Sequence, residues 1–246
     1  MQIIPAFVTQ NKCYQAGTPL TPRGIMLHSV GTPQPSAAVF ARSFNQYQPG
    51  GVSVCVHAFA QADGTVYQTL PWEMRGWHCG GSANSTHIGV EMTEPSTGMT
   101  RSEAAEQVAG TYHTAVELFA ALCKQYGLDP AQDGVIIGHA EGHRRGVASN
   151  HADPELLWRT YDMGYTMDGF RRDVAEAMKN GAREEALDMP RYDSVAEMPQ
   201  WARADAQRLI DRGALQGNTD GKLDVSEDML RTMIVCQRMV DEQKET

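Results

Sequence analysis

Short apolar runs alternate with segments of helical period along most of this chain, and few folds accept that alternation. Ile25-Met-Leu27 follows Pro22 and Gly24 and reads as a strand; Ile88 to Met92 and Val135-Ile-Ile137 read the same way. Val52 to Ala60 alternates, with Val52, Val54 and Val56 on one face. Asp63-Gly64 is a hairpin signal that sends the chain back as Thr65 to Leu70. Between these runs, Ser36 is placed to cap a helix carrying Val39, Phe40 and Phe44, which ends before Pro49-Gly-Gly51. Thr100-Arg-Ser-Glu103 has the form of a capping box. It opens a long helix with apolar positions at 108, 112, 115, 116, 119, 122 and 123, closed by Gly127. Phe170, Val174 and Met178 mark a further helix, stopped by Gly181. The pattern predicts an α/β fold, with a single mixed β-sheet flanked by helices. The hairpin is what makes the sheet mixed.

Residues 1–183 hold all 8 histidines, whereas the remainder has none and an acidic excess. Arg183 to Pro190 reads as a linker, giving a large domain over 1–183 and a small helical module over 190–246. In the module, Pro199 starts a helix with Ala202, Ala206, Leu209 and Ile210 on one face and Gly213 as its stop. Gly217 to Gly221 is a turn, and Ser226 caps a second helix with Leu230, Met233, Ile234 and Val240 inward. No apolar run reaches the length of a membrane span, so no membrane insertion is expected. The N-terminus shows no secretory leader pattern, which predicts a protein kept in the cytoplasm of the producing cell. A net charge of −9 argues against nucleic acid as a partner. The 5 cysteines are odd in number, widely spaced and without a CxxC pair; reduced, mostly buried thiols are expected.

His28 directly follows the first strand, and His139 directly follows Val135-Ile-Ile-Gly138. Ligands gather where strands of an α/β sheet end. A lone histidine there is more often a polar loop residue, but these two are joined by His151-Ala-Asp153-Pro154. A catalytic zinc needs three N, S or carboxylate ligands and one open position; His28, His139 and Asp153 would supply them. Glu91 projects from an otherwise apolar strand, where a carboxylate is costly unless paired or employed. It is either a salt-bridged strand residue or a general base. Trp77-His78-Cys79-Gly80-Gly81 with Asn84 is either a surface turn or the wall of a substrate groove.

Together these pieces resemble the type-2 N-acetylmuramoyl-L-alanine amidases, a family that includes phage and prophage endolysins and the peptidoglycan recognition proteins. The matching stretches are Ile25-Met-Leu-His28-Ser, Val54-Cys-Val-His57, Asp63-Gly-Thr-Val-Tyr-Gln68 and Gly76-Trp-His78. They continue through Asn84-Ser-Thr-His-Ile-Gly-Val-Glu91, Val135-Ile-Ile-Gly-His139 and Asp153-Pro154, in the family's order, over roughly residues 20–160. The resemblance implies a Zn2+ hydrolase that cuts the amide between N-acetylmuramic acid and L-alanine in bacterial peptidoglycan, acting on the wall after release from the cell. It implies His28, His139 and Asp153 as metal ligands and Glu91 as the base. Where the family often has Lys or Thr to stabilise the oxyanion, this chain has His151, read as the stabiliser in preference to a third ligand. His57, Trp77, His78 and Asn84 are expected on the substrate side. Arg144 and Arg145, in a loop longer than in the shorter members, are expected to meet peptide-stem carboxylates. A non-catalytic recognition protein of the same fold and an intracellular muropeptide-recycling amidase are the alternatives. The order Trp201, Leu209, Gly213, Gly217, Asp220-Gly221 and Arg231 faintly resembles a surface-layer homology repeat. That resemblance implies a wall-binding role for the module, with homodimer formation as the other expectation.

Overall fold

The computed structural model describes residues 1–46, 54–188 and 190–242. The chain divides into two compact units, residues 1–179 and 180–246.

The first unit is built on a six-stranded sheet of β1 (Gln2–Pro5), β2 (Gly24–Ser29), β3 (Ala58–Ala60), β4 (Thr65–Gln68), β5 (His87–Met92) and β6 (Ile136–Gly138). Their spatial order is β1-β4-β3-β5-β2-β6. Only the β3–β4 hairpin is antiparallel, so the sheet is mixed. The helices are α1 (Lys12–Ala16), α2 (Ala37–Phe44), α3 (Arg101–Tyr126), α4 (His139–Arg144), α5 (Glu155–Thr160) and α6 (Met167–Asp188).

The two faces of the central strands are sorted by residue parity, because successive side chains of a strand point to opposite sides. Ile25 and Leu27 of β2 and Ile88, Val90 and Met92 of β5 join Val108, Tyr112, Ala115, Phe119 and Leu122 of α3 in the main core. On the opposite face, Met26 of β2 and Ile137 of β6 pack on Cys79 and Ala83. With both faces covered, these strands read as continuous apolar runs. The register pairs Met26 with Gly89 and His28 with Glu91, which places His28 and Glu91 side by side on the face away from α3.

α3 begins and ends where its local chemistry dictates. Thr100 Oγ1 accepts from the Glu103 amide at 3.3 Å, and the Thr100 amide donates to the Glu103 carboxylate at 2.7 Å. Gly127 closes the helix at φ 63°, a left-handed conformation that an L side chain resists. Caps of this kind stabilise a helix by about 1 kcal/mol each.

Elsewhere the structure departs from the sequence pattern. The expected strand from Val52 is limited to Ala58–Ala60, while Cys55 makes only an isolated bridge to Trp77. Val54 is exposed and Val56 buried, so these two do not share a face. Val52 and Pro49-Gly-Gly51 lie outside the described residues. The chain bends at His57, whose carbonyl accepts from both Thr69 N (2.8 Å) and Leu70 N (3.3 Å). β1 was not anticipated; it pairs in parallel with β4. α6 continues past Gly181 to Asp188, so residues 183–188 of the expected linker are helical, and the division between the units falls within this helix. A glycine in a right-handed helix weakens it by about 1 kcal/mol but stops it only by turning left-handed. Cys13, Cys55, Cys79 and Cys123 are buried free thiols, and Cys236 is exposed.

The second unit pairs β7 (Arg191–Tyr192) with β8 (Val225–Ser226) in an antiparallel ribbon beside α7 (Gln200–Asp211) and α8 (Glu227–Glu242). Met198, Ala202, Ala206, Leu209, Leu215, Val225, Leu230 and Ile234 form its own core. Ser226 Oγ accepts from the Met229 amide at 3.3 Å, as expected of a cap. Trp201 is exposed, with the Arg231 guanidinium 4.7 Å from its ring centroid. The Val240 side chain lies outside the described residues. No described helix is long and apolar enough to cross a membrane.

Candidate active site

His28 near the end of β2 and His139 at the first position of α4 come together with Asp153, which precedes α5. One nitrogen of each ring and one carboxylate oxygen lie within 4.8 Å of one another. His28 Nδ1 is 3.0 Å from His139 Nδ1 and 3.3 Å from Asp153 Oδ2, and His139 Nδ1 is 3.5 Å from Asp153 Oδ1. The cluster lines a cleft of about 880 Å³, together with Trp77, His78, Asn84, Glu91, Glu94 and His151.

A chain of hydrogen bonds sets the proton on His28. His78 Nε2 lies 3.2 Å from the His87 carbonyl, which can only accept, so the proton of His78 sits on Nε2. Burial, then the neighbouring His28 and His57 charges, push the His78 pKa well below the ordinary histidine value, so the ring is neutral and its Nδ1 is bare. That bare nitrogen is 2.9 Å from His28 Nε2, which must therefore donate to it. Burial lowers the His28 pKa despite the opposing influence of Asp153. His28 is thus neutral, with a bare Nδ1 turned to the cluster. Burial alone would raise the Asp153 pKa, but the imidazoles of His139 and His28 beside it hold it below the ordinary carboxylate range. An ionised carboxylate and a lone-pair nitrogen converging with a second imidazole form a donor set that a divalent cation satisfies. The remaining nitrogen of His139, Nε2, faces away from the cluster, 3.2 Å from Ser149 Oγ.

Glu91 sits beside this set. Its Oε2 is buried without a hydrogen-bond partner among the described residues. Burial first, then the charges of Asp153 and Glu94, raise its pKa well above the ordinary carboxylate value. Such a carboxyl has a strong affinity for a proton, and its Oε2 has no partner among the described residues to share it with. A cation held by the neighbouring cluster would relieve the same strain.

The other expected site residues divide. Trp77 and His151 line the cleft. His151 stands outside the His28–His139–Asp153 cluster, its ring centroid 4.4 Å from that of His139. Asn84 also lines the cleft, but its Oδ1 accepts from His78 N (2.9 Å) and Cys79 N (3.0 Å), so it holds the 77–81 loop in shape. His78 uses both ring nitrogens within the protein and positions His28. It does so through a tight approach: a Cβ on Gly89 would come within 2.4 Å of the His78 ring, so only glycine fits there. His57 is fully buried and is not among the residues lining the cleft. Its Nε2 donates to Met74 O at 2.7 Å and its Nδ1 accepts from Gly89 N at 2.9 Å, which pins β5 in place. Burial takes its pKa down to about 4. Arg144 and Arg145 are not brought to the cleft. Arg144 Nη2 is 3.8 Å from Glu155 Oε1, and Arg145 Nη1 donates to Asp133 at 3.0 Å on the exposed surface. Within the gap between His139 and Asp153, Ser149, His151 and Ala152 line the cleft and the two arginines do not.

Some participants carry no local signature. Arg171, on α6, donates to Ile136 O (2.8 Å) and to both carboxylate oxygens of Glu141 (2.9 and 3.0 Å). That clamp joins the first residue of β6 to the first turn of α4, where His139 sits. Glu94 accepts from Gly31 N at 2.9 Å at the rim of the cleft. Ser149, between the two histidines, is equally silent in sequence.

Comparison with known proteins adds an independent line. The family model described as N-acetylmuramoyl-L-alanine amidase matches residues 18–156, a span that includes His28, Glu91, His139 and Asp153. No curated protein sequence matches the chain significantly. Among solved structures, the hydrolase AmiA of Staphylococcus aureus, solved with its ligand, superposes with a TM-score of 0.58 at 19% identity, over 75% of this chain and 86% of that one. The catalytic domain of XlyA gives 0.52 at 22% identity, over 71% of this chain and 99% of that one. A mutant endolysin from Bacillus subtilis gives 0.51 at 21% identity, over 71% and 99% respectively. At these identities the superpositions establish a shared fold.

Proposed function

The chain belongs to the N-acetylmuramoyl-L-alanine amidase family, and on that premise we propose that it is a zinc-dependent endolysin of phage or prophage origin. In this reading it hydrolyses the amide between N-acetylmuramic acid and L-alanine in bacterial peptidoglycan. The observation that carries the proposal is the convergence of two imidazole nitrogens and a carboxylate in a cleft, beside a buried carboxylate oxygen with no partner.

His28, His139 and Asp153 would hold the ion. When bound, zinc supplies Lewis-acid polarisation of a carbonyl and a lowered pKa for water. Glu91 accepts the proton of the attacking water through its free carboxylate oxygen and then delivers it to the departing L-alanine nitrogen as the C–N bond breaks. The products are a carboxylate on the muramic lactyl group and a free amine on the peptide. His151, in its protonated form, donates a hydrogen bond to the carbonyl oxygen as negative charge develops there. His78 and Asn84 act through others: His78 orients His28, and Asn84 holds the loop that carries His78. The second unit, with its own core and the exposed Trp201–Arg231 pair, is assigned to retention on the wall.

The test is incubation of the purified protein with isolated cell walls, with and without a chelator. Zinc-dependent appearance of free L-alanine amines is expected. Release of reducing sugar ends alone, or amine release that survives complete removal of metal, would overturn the proposal.

A further inference from the structure

We propose that Ser149 is a positioning residue that fixes the ring protons of both His139 and His151, committing one ring to the metal and the other to the substrate. The inference deepens the amidase reading and rests on it for the roles of the two rings, although its geometry stands apart from any activity.

Ser149 Oγ has three polar neighbours: Cys79 O at 3.0 Å, His139 Nε2 at 3.2 Å and His151 Nδ1 at 3.1 Å. A hydroxyl offers one proton and two lone pairs. The Cys79 carbonyl can only accept, so the proton goes there. Two lone pairs remain, and each meets one imidazole nitrogen, so each of those nitrogens must carry hydrogen. For His139 a proton is then on Nε2, so that Nδ1, 3.0 Å from His28 Nδ1, is the nitrogen free to bind when an ion takes the place of the proton between the two rings. For His151 the proton is on Nδ1, against the preference of free imidazole side chains for the Nε2–H form. Its Nε2 is left as the end that donates when the ring is protonated.

The serine is itself well anchored. Its amide also donates to Cys79 O, at 2.8 Å, and Cys79 N donates to the buried Asn84 side chain at 3.0 Å. Gly80 leaves space beside the hydroxyl: a Cβ there would fall 3.0 Å from Ser149 Oγ. The Cys79-Gly80 turn and the Ser149-Asn-His151 segment therefore form one unit. It corresponds on the His139 side to what His78 does for His28, but a single oxygen serves two rings.

Outer partners of metal-bound histidines typically change metal affinity 10–100-fold when removed. Three variants of the full chain separate the hub from general structural loss: Ser149→Ala removes the acceptor, Ser149→Thr keeps the hydroxyl, and Ser149→Cys keeps the size but offers a poor acceptor. The first measurement is the nitrogen NMR of the histidines in zinc-loaded protein at mildly alkaline pH. In the unmodified chain His139 is expected as the Nε2–H tautomer and His151 as Nδ1–H. The Ala and Cys variants are expected to lose the Nδ1–H signature of His151, and Thr to retain it. The second is affinity for zinc by competition with a chromophoric chelator. A fall of about 10–100-fold is expected for Ala and Cys, with recovery in Thr. Should Ser149→Ala not fold, the Thr and Cys pair carries the same contrast. Unchanged tautomers and unchanged zinc affinity in Ser149→Ala or Ser149→Cys would overturn the proposal. If tautomers and affinity move as stated while the unmodified zinc-loaded protein cuts no muropeptide, the amidase reading fails and the hub stands.

Discussion

Replacing Glu91 by Gln separates two consequences of a single location. The amide keeps the shape of the side chain but can neither accept the water's proton nor ionise. In the metal-free protein, burial and then the charges of Asp153 and Glu94 place the Glu91 pKa well above its ordinary value of 4.5. The folded chain therefore retains a proton that the unfolded chain has released. The stability tied to this group is fully present below the unfolded pKa and is lost as pH rises through the folded one. For one proton the slope within that window approaches about 1.4 kcal/mol per pH unit. Glu91→Gln should remove this slope, so the metal-free variant gains on the unmodified protein as pH rises towards neutrality. Activity should move the other way. Loss of a general base costs about 10²–10⁴-fold, or roughly 3–5 kcal/mol of barrier. In the zinc-loaded enzyme the cation's charge favours ionised Glu91, so the acid limb of the activity profile should lie below the midpoint of the metal-free stability profile. The assays are denaturant unfolding of chelator-treated protein across the pH range, zinc stoichiometry, and turnover of a soluble muropeptide. Turnover within tenfold of the unmodified enzyme, with zinc retained, would remove Glu91 from the chemistry. An unaltered stability slope would show that Glu91 does not hold the buried proton.

Four further outcomes follow from the geometry. His78→Ala deprives His28 Nε2 of its acceptor, and zinc affinity measured by chelator competition should fall about 10–100-fold with the fold retained. Gly89→Ala forces a Cβ to within 2.4 Å of the His78 ring; overpacking of this kind costs about 1–3 kcal/mol, read from denaturant unfolding. Arg144→Ala and Arg145→Ala break a long pair with the half-buried Glu155 and a surface pair with Asp133, so stability should change by less than about 1 kcal/mol, and a large rise in KM would return these residues to the substrate. Removal of residues 190–246 should leave soluble-muropeptide cleavage intact, since the main core and the proposed ligands lie within residues 1–179. Cleavage of intact walls should fall, because a tethered binding unit raises local concentration; equal wall lysis by both forms would end the retention role.

What the sequence conveyed depended on how local the deciding interaction is. The capping box at Thr100 and the left-handed Gly127 act within one turn of α3, and their residues alone predict both ends. The bend at His57 is made by two amides from the returning strand, so the alternation of Val52 to Ala60 carried no trace of it. Histidine shows the same limit at the site. His28, His57, His78 and His139 are chemically alike, yet the first and last face the cluster while the middle two spend their nitrogens on carbonyls, an amide and another ring. Those partners lie far away in sequence, as Ser149 does from Cys79. Glu91 is different because strand parity constrains it. Once Ile88, Val90 and Met92 are committed to the α3 side, Gly89 and Glu91 must share the other face. The register with β2 then sets Gly89 beside Met26 and Glu91 beside His28. A carboxylate at that point has one neighbour turned to the His28–His139–Asp153 cluster and another position too tight for any side chain but glycine's. It is left without a counter-charge on its own strand, and on the proposed reading a cation held in the cleft is what lets it ionise.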